Sequence, residues 1–254
     1  MAHASSYETR HCGGDALAMH RHRGAYAALV LDGEHLETGC EGRVRCPPGT
    51  LLIHPAFHAH GNRFSRHGAR VLNLPLPSAP GTAARAYAVD LCAAADCLRA
   101  RDAGALPALL SGAHPLVPED AGDWSHALLA ALRADPSAGI GAASRRLGVS
   151  PEHASRTLAR RYGLPPQALR LELRFRAALA LLDTDLGLAE IAQRAGFADQ
   201  SHLGRTVRRF CGASPARVRA WIKCVQDGGA APALECGHPP RNATACTPAS
   251  PSPA

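Results

Sequence analysis

Histidine is the residue type whose placement in this chain most suggests chemistry. Seven of the 14 histidines lie between His20 and His67, and 11 of them precede residue 136. His20 and His22 are two apart, as are His58 and His60, and His54 lies in line with the second pair. Residues two apart in a strand point to the same side, so each pair would present two imidazoles to one surface. Neutral imidazoles around one cation suit zinc, iron, nickel or copper, with geometry and supply choosing among them. A divalent transition metal is therefore the cofactor this region could hold. The same rings could instead form a structural cluster, or serve catalysis. The 9 cysteines are scattered and contain no Cys-x-x-Cys pair, so they read as reduced thiols.

The elements around these histidines read as short strands. Between residues 16 and 76, runs such as AYAALVL, HLETG, LLIHPAF and RVLNLPL alternate with turn residues in DGEH and RCPPGT. Gly and Pro punctuation of that kind predicts a small antiparallel barrel or sandwich, with His35 and His67 in loops. Residues 81–135 read as a strand followed by helices, the last of them starting near Asp123. Its apolar face, Leu128, Leu129 and Leu132, suits either a dimer partner or the sheet. The segment DPSAG at 135–139 is the only linker in view.

With 254 residues and 46% apolar composition, the chain has material for two buried cores. The N-terminus lacks the pattern of a secretory signal, and apolar runs such as residues 25–31 fall far short of the roughly 18 residues a membrane helix needs. A cytoplasmic protein without a membrane partner is the expectation. The net charge of +7 is unevenly placed: residues 1–135 sum to −1, residues 136–225 to +9 and residues 226–254 to −1. A local basic excess is what a phosphate-neutralising surface requires, although a solvated arginine-rich helical surface gives the same sum.

The basic segment contains an internal repeat. Ala143, His153, Arg156, Thr157, Arg160, Gly163, Pro166 and Arg170 recur 49 residues later as Ala192, His202, Arg205, Thr206, Arg209, Gly212, Pro215 and Arg219. The turn glycines, Gly148 and Gly196, are one residue out of step, a slip that a loop tolerates. In the first copy, Gly148 ends a short helix, Ser150 is a good N-cap, and Pro151 suits the first position of a second helix running to Gly163. Two short helices joined by a glycine turn make a helix-turn-helix, here present twice. Residues 169–176 alternate apolar and charged as a strand would. The stretch 167–183, however, has no Gly, Pro or β-branched residue and predicts a helix about 25 Å long. Such a spacer would let two recognition helices enter successive major grooves, about 34 Å apart.

Residues 136–223 resemble the DNA-binding domain of AraC-type transcriptional regulators. The resemblance rests on LGVSPEHASRTLARRYGLPPQALR and on LAEIAQRAGFADQSHLGRTVRRFCGASPARVR, above all Ile191, Ala192, Gly196 and Phe197 followed by Gly212 to Pro215. Ser201-His202-Leu203 stands where the family more often has Ser-Tyr-Phe. Leu158, Leu203, Val207 and Phe210 are expected to be buried, leaving the helix starts exposed. The resemblance places Glu152, Ser155, Arg156, Ser201, His202 and Arg205 against base edges, where Arg pairs with guanine and Glu accepts from cytosine. Arg160, Arg161, Arg208 and Arg209 are the phosphate candidates, and His153 reads as structural.

HRHRGAYAALVLDG followed by PPGTLLIHPAFHAH resembles the cupin-like sensor that precedes many such domains. It implies a metal or effector pocket of His20, His22, His60 and Tyr26, with His60 preferred to His58. Cupin enzymes place a carboxylate four residues after the second histidine; here that position is Tyr26, which argues against an enzyme. The expected architecture is α+β in two domains, a cupin-like antiparallel β-barrel followed by an all-α domain with two helix-turn-helix units. Residues 1–15 are a flexible N-terminus, 16–80 the sensor, 81–135 a helical connection that could dimerise, 136–225 the DNA-binding domain and 226–254 a disordered tail. The implied partners are double-stranded DNA, a small-molecule effector, RNA polymerase and a second copy of the chain. Two alternatives stay open: a cupin enzyme with an accessory nucleic-acid module, and a constitutive DNA-binding protein whose β half only dimerises.

Overall fold

The computed structural model describes residues 7–77 and 81–226. The expectations for residues 1–6 and for the tail beyond residue 226 lie outside them. The first half is an antiparallel sheet of β1 (Tyr7–His11), β2 (Ala16–Arg21), β3 (Ala25–Gly39), β4 (Gly42–Cys46), β5 (Thr50–His54), β6 (Ala59–Leu76), β7 (Arg85–Ala88) and β8 (His114–Pro115). The helices are α1 (Leu91–Ala100), α2 (Leu106–Ser111), α3 (Trp124–Ala134), α4 (Ile140–Arg146), α5 (Pro151–Tyr162), α6 (Pro166–Leu182), α7 (Leu188–Arg194), α8 (Gln200–Cys211) and α9 (Pro215–Gln226). The architecture is thus a sheet domain followed by a helical domain, as expected.

The long strands β3 and β6 are shared by two wings. One wing runs β2-β6-β3-β4 and the other β1-β6-β3-β5-β7-β8. Between the wings, residues 65–68 of β6 oppose only Glu34 of β3, a bulge that lets both strands bend. Phe64 and Cys46 of the first wing meet Val30, Leu52, Val71 and Ala86 of the second inside this bend. The outer face of the second wing, including Leu29, Leu51 and Leu72, is covered by Ala94, Ala95 and Leu98 of α1.

Several expectations need correction. The ladder does not close into a barrel: β1 and β8 end it, and no pairing joins them among the described residues. β8 is two residues long and includes Pro115, which has no N–H to extend the ladder. Residues 7–11 are not a flexible terminus, because β6 offers a free edge on which Tyr7 pairs with Asn73 and His11 with Ala69. The sheet also reaches beyond residue 80, through β7 and β8. His35 is a buried residue of β3, not a loop residue. Cys40, Cys46, Cys92 and Cys97 are free thiols, whereas Cys12 is disulfide-bonded.

In the helical domain the expected repeat is drawn in the caps. Ser150 accepts from the His153 N–H and Asp199 from the His202 N–H, and left-handed Gly163 and Gly212 end the two helices. α6 is a helix despite its alternating residues, because it is embedded between units: Leu169, Leu173, Phe175, Ala178, Leu179 and Leu182 are buried. Leu128, Leu129 and Leu132 of α3 pack with Ile140, Leu158, Tyr162 and Leu173. That face is therefore covered by the helical domain itself and is not free for a second copy.

The two turn glycines are not equivalent. Both are left-handed, with φ 69° at Gly148 and 79° at Gly196. A Cβ at Gly148 would meet open space, but one at Gly196 would lie 2.9 Å from the Ser137 nitrogen and 3.0 Å from the Pro136 carbonyl carbon. Gly148→Ala is expected to cost about 1–2 kcal/mol, the price of the left-handed backbone. Gly196→Ala should cost about 1–3 kcal/mol more, because backbone must move aside. Urea unfolding of the two variants checks this; equal costs would mean that residues 136–137 yield freely.

Candidate histidine centre and nucleic-acid interface

The histidines gather at one end of the space between the wings. His20 pairs with His60 across the β2–β6 ladder, and Tyr26 with His54 across β3–β5. Tyr26 Oη lies 3.1 Å from His60 Nε2, and its ring stacks on His54 with centroids 4.5 Å apart. His20 donates from Nδ1 to the Ala18 carbonyl at 2.9 Å, which leaves its Nε2 lone pair free. Partial burial, with His20 and His54 nearby, pushes the His22 ring down to about 4. Burial likewise pushes His60 well down, against the pull of Glu37, and pushes the Tyr26 phenol well up. The expected set of His20, His22 and His60 does come together, one nitrogen of each lying within 4.8 Å of the others. Neutral imidazoles so placed fit the chemistry of a borderline divalent cation.

A second triple, His54, His58 and His60, meets the same distance and is wholly buried. Two carboxylates that the sequence reading passed over stand behind it. Glu37 Oε2 is 3.5 Å from His54 Nε2, and Glu41 Oε2 is 2.8 Å from His58 Nε2. Burial pushes the Glu37 carboxyl up, but His54, His60 and His35 outweigh it and hold it well below the usual carboxylate range. Glu41 is lowered in the same way by His58, Arg176 and Arg133, against its burial. Neither carboxylate belongs to a nitrogen triple; each stands behind one of its rings, Glu37 from β3 and Glu41 from the turn that follows it. The signal was in the sequence: in the run HLETG, His35 and Glu37 are polar at two positions that alternation turns to one face.

The other candidate surface lies on α5 and α8. Glu152, Arg156 and Arg160 are exposed at four-residue spacing on α5, and Ser201, Arg205 and Arg209 occupy the same positions on α8. Ser155 is half-buried on the same face, and Arg208 is exposed. Leu158, Leu203 and Val207 are fully buried on the opposite faces, and Phe210 packs edge-on against Phe175. The His202 ring is half-buried edge-on against Phe197, 5.1 Å away, and so is drawn towards the domain. His153 lies 5.3 Å from the Trp124 ring, consistent with a structural use. Arg161 differs from the other phosphate candidates, because it is committed to Asp123 Oδ2 at 2.8 Å and Ser125 Oγ at 2.7 Å. These contacts tie α5 to the start of α3.

Residues 143–220 match a family model described as a helix-turn-helix domain. This is an AraC-type helix-turn-helix domain. No curated protein sequence matches the chain. Among solved structures, ToxT from Vibrio cholerae is similar at 9% identity, covering 85% of this chain and 97% of that one with a TM-score of 0.41. The C-terminal domain of AraT, a response regulator from Geobacillus stearothermophilus, is 24% identical over 39% of this chain and 84% of its own, with a TM-score of 0.36. An AraC-type transcriptional regulator from Chromobacterium violaceum is 25% identical over 37% of this chain and 86% of its own, with a TM-score of 0.35. No helix among the described residues is long and apolar enough to cross a membrane.

The sheet grips the AraC-type domain at two places and α3 at a third, each beside the histidines or the glutamates that face them. Arg21, between His20 and His22, bonds Glu172 of α6 at 2.7 Å and lies 4.0 Å from the Phe210 ring centroid. Phe57, between His54 and His58, is buried among Phe175, Leu179, Leu182 and Val218, edge-on to Trp221. Cys40, between Glu37 and Glu41, packs with Leu128 and Leu132, and its carbonyl accepts from Arg133.

Proposed function

We propose that the protein is a sequence-specific, double-stranded-DNA-binding transcriptional regulator whose sheet domain senses a small-molecule effector or a metal. The observation that carries this reading is the pair of equivalent exposed stripes on α5 and α8. Base-edge contact is assigned to Glu152, Ser155, Arg156, Ser201, His202 and Arg205, and phosphate contact to Arg160, Arg208 and Arg209. Arg161 is assigned to phosphate only where DNA draws it from Asp123. The pocket of His20, His22, His60 and Tyr26 is the proposed effector site, and its occupancy acts on DNA binding through Arg21, Phe57 and Cys40. RNA polymerase and a second copy of the chain are the further partners of a cytoplasmic regulator of this kind.

Selection and sequencing of DNA fragments retained by the purified chain tests the proposal, an enriched shared motif being the expected result. On that motif, Arg205→Ala should weaken binding by about 1–3 kcal/mol while binding to random DNA hardly changes. Equal losses on both DNAs would place Arg205 among the phosphate contacts. No enrichment of any motif would sink the sequence-specific reading.

A further inference from the structure

The buried triple behind the effector pocket has features that a structural histidine cluster does not need. His54 Nε2 and His58 Nε2 each face a carboxylate, of Glu37 and Glu41. A carboxylate only accepts, so each ring donates from Nε2 and is left with its Nδ1 lone pair. Those two Nδ1 atoms face each other at 3.4 Å. Two lone pairs at that distance repel unless a proton on one ring or a metal cation joins them. Two nitrogens bound about 2.0–2.1 Å from one tetrahedral ion are themselves about 3.3 Å apart. The third ring, His60, holds a buried Nδ1 with no hydrogen-bond partner among the described residues. Metal-bound histidines characteristically give their second ring nitrogen to a carboxylate, which fixes tautomer and orientation.

We infer that His54, His58 and His60 bind one divalent transition-metal ion, with Glu37 and Glu41 as the carboxylates that orient the first two rings. The three-nitrogen set leaves a position for water or a small ligand from the adjoining pocket. Nitrogen donors without thiolate suit Zn(II), Co(II) or Ni(II). The ion would join His54 to His58 across the turn that carries Phe57, and so fix the part of the sheet that enters the core of the AraC-type domain. The consequence for DNA rests on the function proposed above; metal binding itself does not.

The test is titration of the tag-free full chain with Zn(II) in competition with a chromophoric chelator. One equivalent is expected to bind. His54→Ala and His58→Ala should each weaken binding at least about 100-fold, and Glu41→Gln about 10- to 100-fold. His20→Ala and His22→Ala should each weaken it far less than His58→Ala does. A melting temperature raised by Zn(II) in the parent, and unaffected by Zn(II) in His58→Ala, gives a second reading. Should His54→Ala or His58→Ala fail to fold, Glu41→Gln, which leaves all three ligands in place, decides alone by its affinity. Three results overturn the inference: no bound Zn(II), loss of binding in His20→Ala or His22→Ala but not in His58→Ala, or full affinity in Glu41→Gln. None depends on whether the chain binds DNA.

Discussion

Replacing Phe57 by alanine is expected to weaken the packing of the sheet against the AraC-type domain by about 3–5 kcal/mol, the usual cost of deleting a buried aromatic ring. Phe57 is 1% exposed although it belongs to a turn of the sheet, and its neighbours are residues of α6 and α9. Its backbone is left-handed, with φ 59°. For a bulky residue that conformation costs about 1–2 kcal/mol and persists only where packing over-determines it. Alanine would bear the same backbone strain, so the variant isolates the contribution of the ring. The measurement is urea unfolding followed by probes in each domain. The expected result is that one transition separates into two, with the sheet and the helices melting independently. A single transition moved by less than about 1 kcal/mol would show that Phe57 does not couple the domains.

The three attachments share a pattern that bears on signalling. Arg21 lies between two histidines, Phe57 between two more, and Cys40 between the two glutamates that face them. A change in the position of these rings must therefore pass through the backbone of a docked residue. A ligand can shift the equilibrium between two arrangements only by its differential affinity for them. Each docking residue is a chain neighbour of a histidine or of Glu41, so the signalling proposed above needs no long chain of contacts.

How much of this was legible in the sequence depends on the range of the interaction. The caps Ser150 and Gly163, and the 49-residue offset to Asp199 and Gly212, follow from local rules and are found at those positions. The helix at 166–182 was legible because intrinsic propensity, with no Gly, Pro or β-branched residue from 167 to 183, outweighed a short alternating run. Alternation in HLETG turns Glu37 to the face of His35, but nothing within the β3–β4 hairpin says that His54 and His58, 17 residues from Glu37 and Glu41 in turn, fold back over it, and so both carboxylates were missed. The contacts of Phe57, Arg21 and Leu128 were missed for the same reason: an apolar or charged side chain tells its burial but not its partner. β1 escaped because its alternation is carried by polar residues, and only the free edge of β6 makes it a strand.

Glu172 is the second position where one side chain should have a large effect. It is a carboxylate only 2% exposed in the middle of α6, and it receives both NH1 and NH2 of Arg21. It is also one of two carboxylates, with Glu41, that offset Arg176, whose burial lowers its guanidinium. None of the three guanidinium nitrogens of Arg176 has a hydrogen-bond partner among the described residues. Glu172→Ala would leave two cations at the domain boundary with one buried counter-charge removed. Breaking a buried pair in this way costs about 3–5 kcal/mol, more than the pair contributes relative to apolar packing. The corresponding contrast is Glu172→Leu combined with Arg21→Met and Arg176→Met, which removes all three charges. It should recover most of the stability lost by Glu172→Ala, because the penalty lies in the unpaired cations and not in a missing attraction. Urea unfolding of the parent and both variants separates the two accounts. If the triple variant is no more stable than Glu172→Ala, the ion pair itself holds α6 to the sheet, and desolvated charge is not what makes Glu172 necessary.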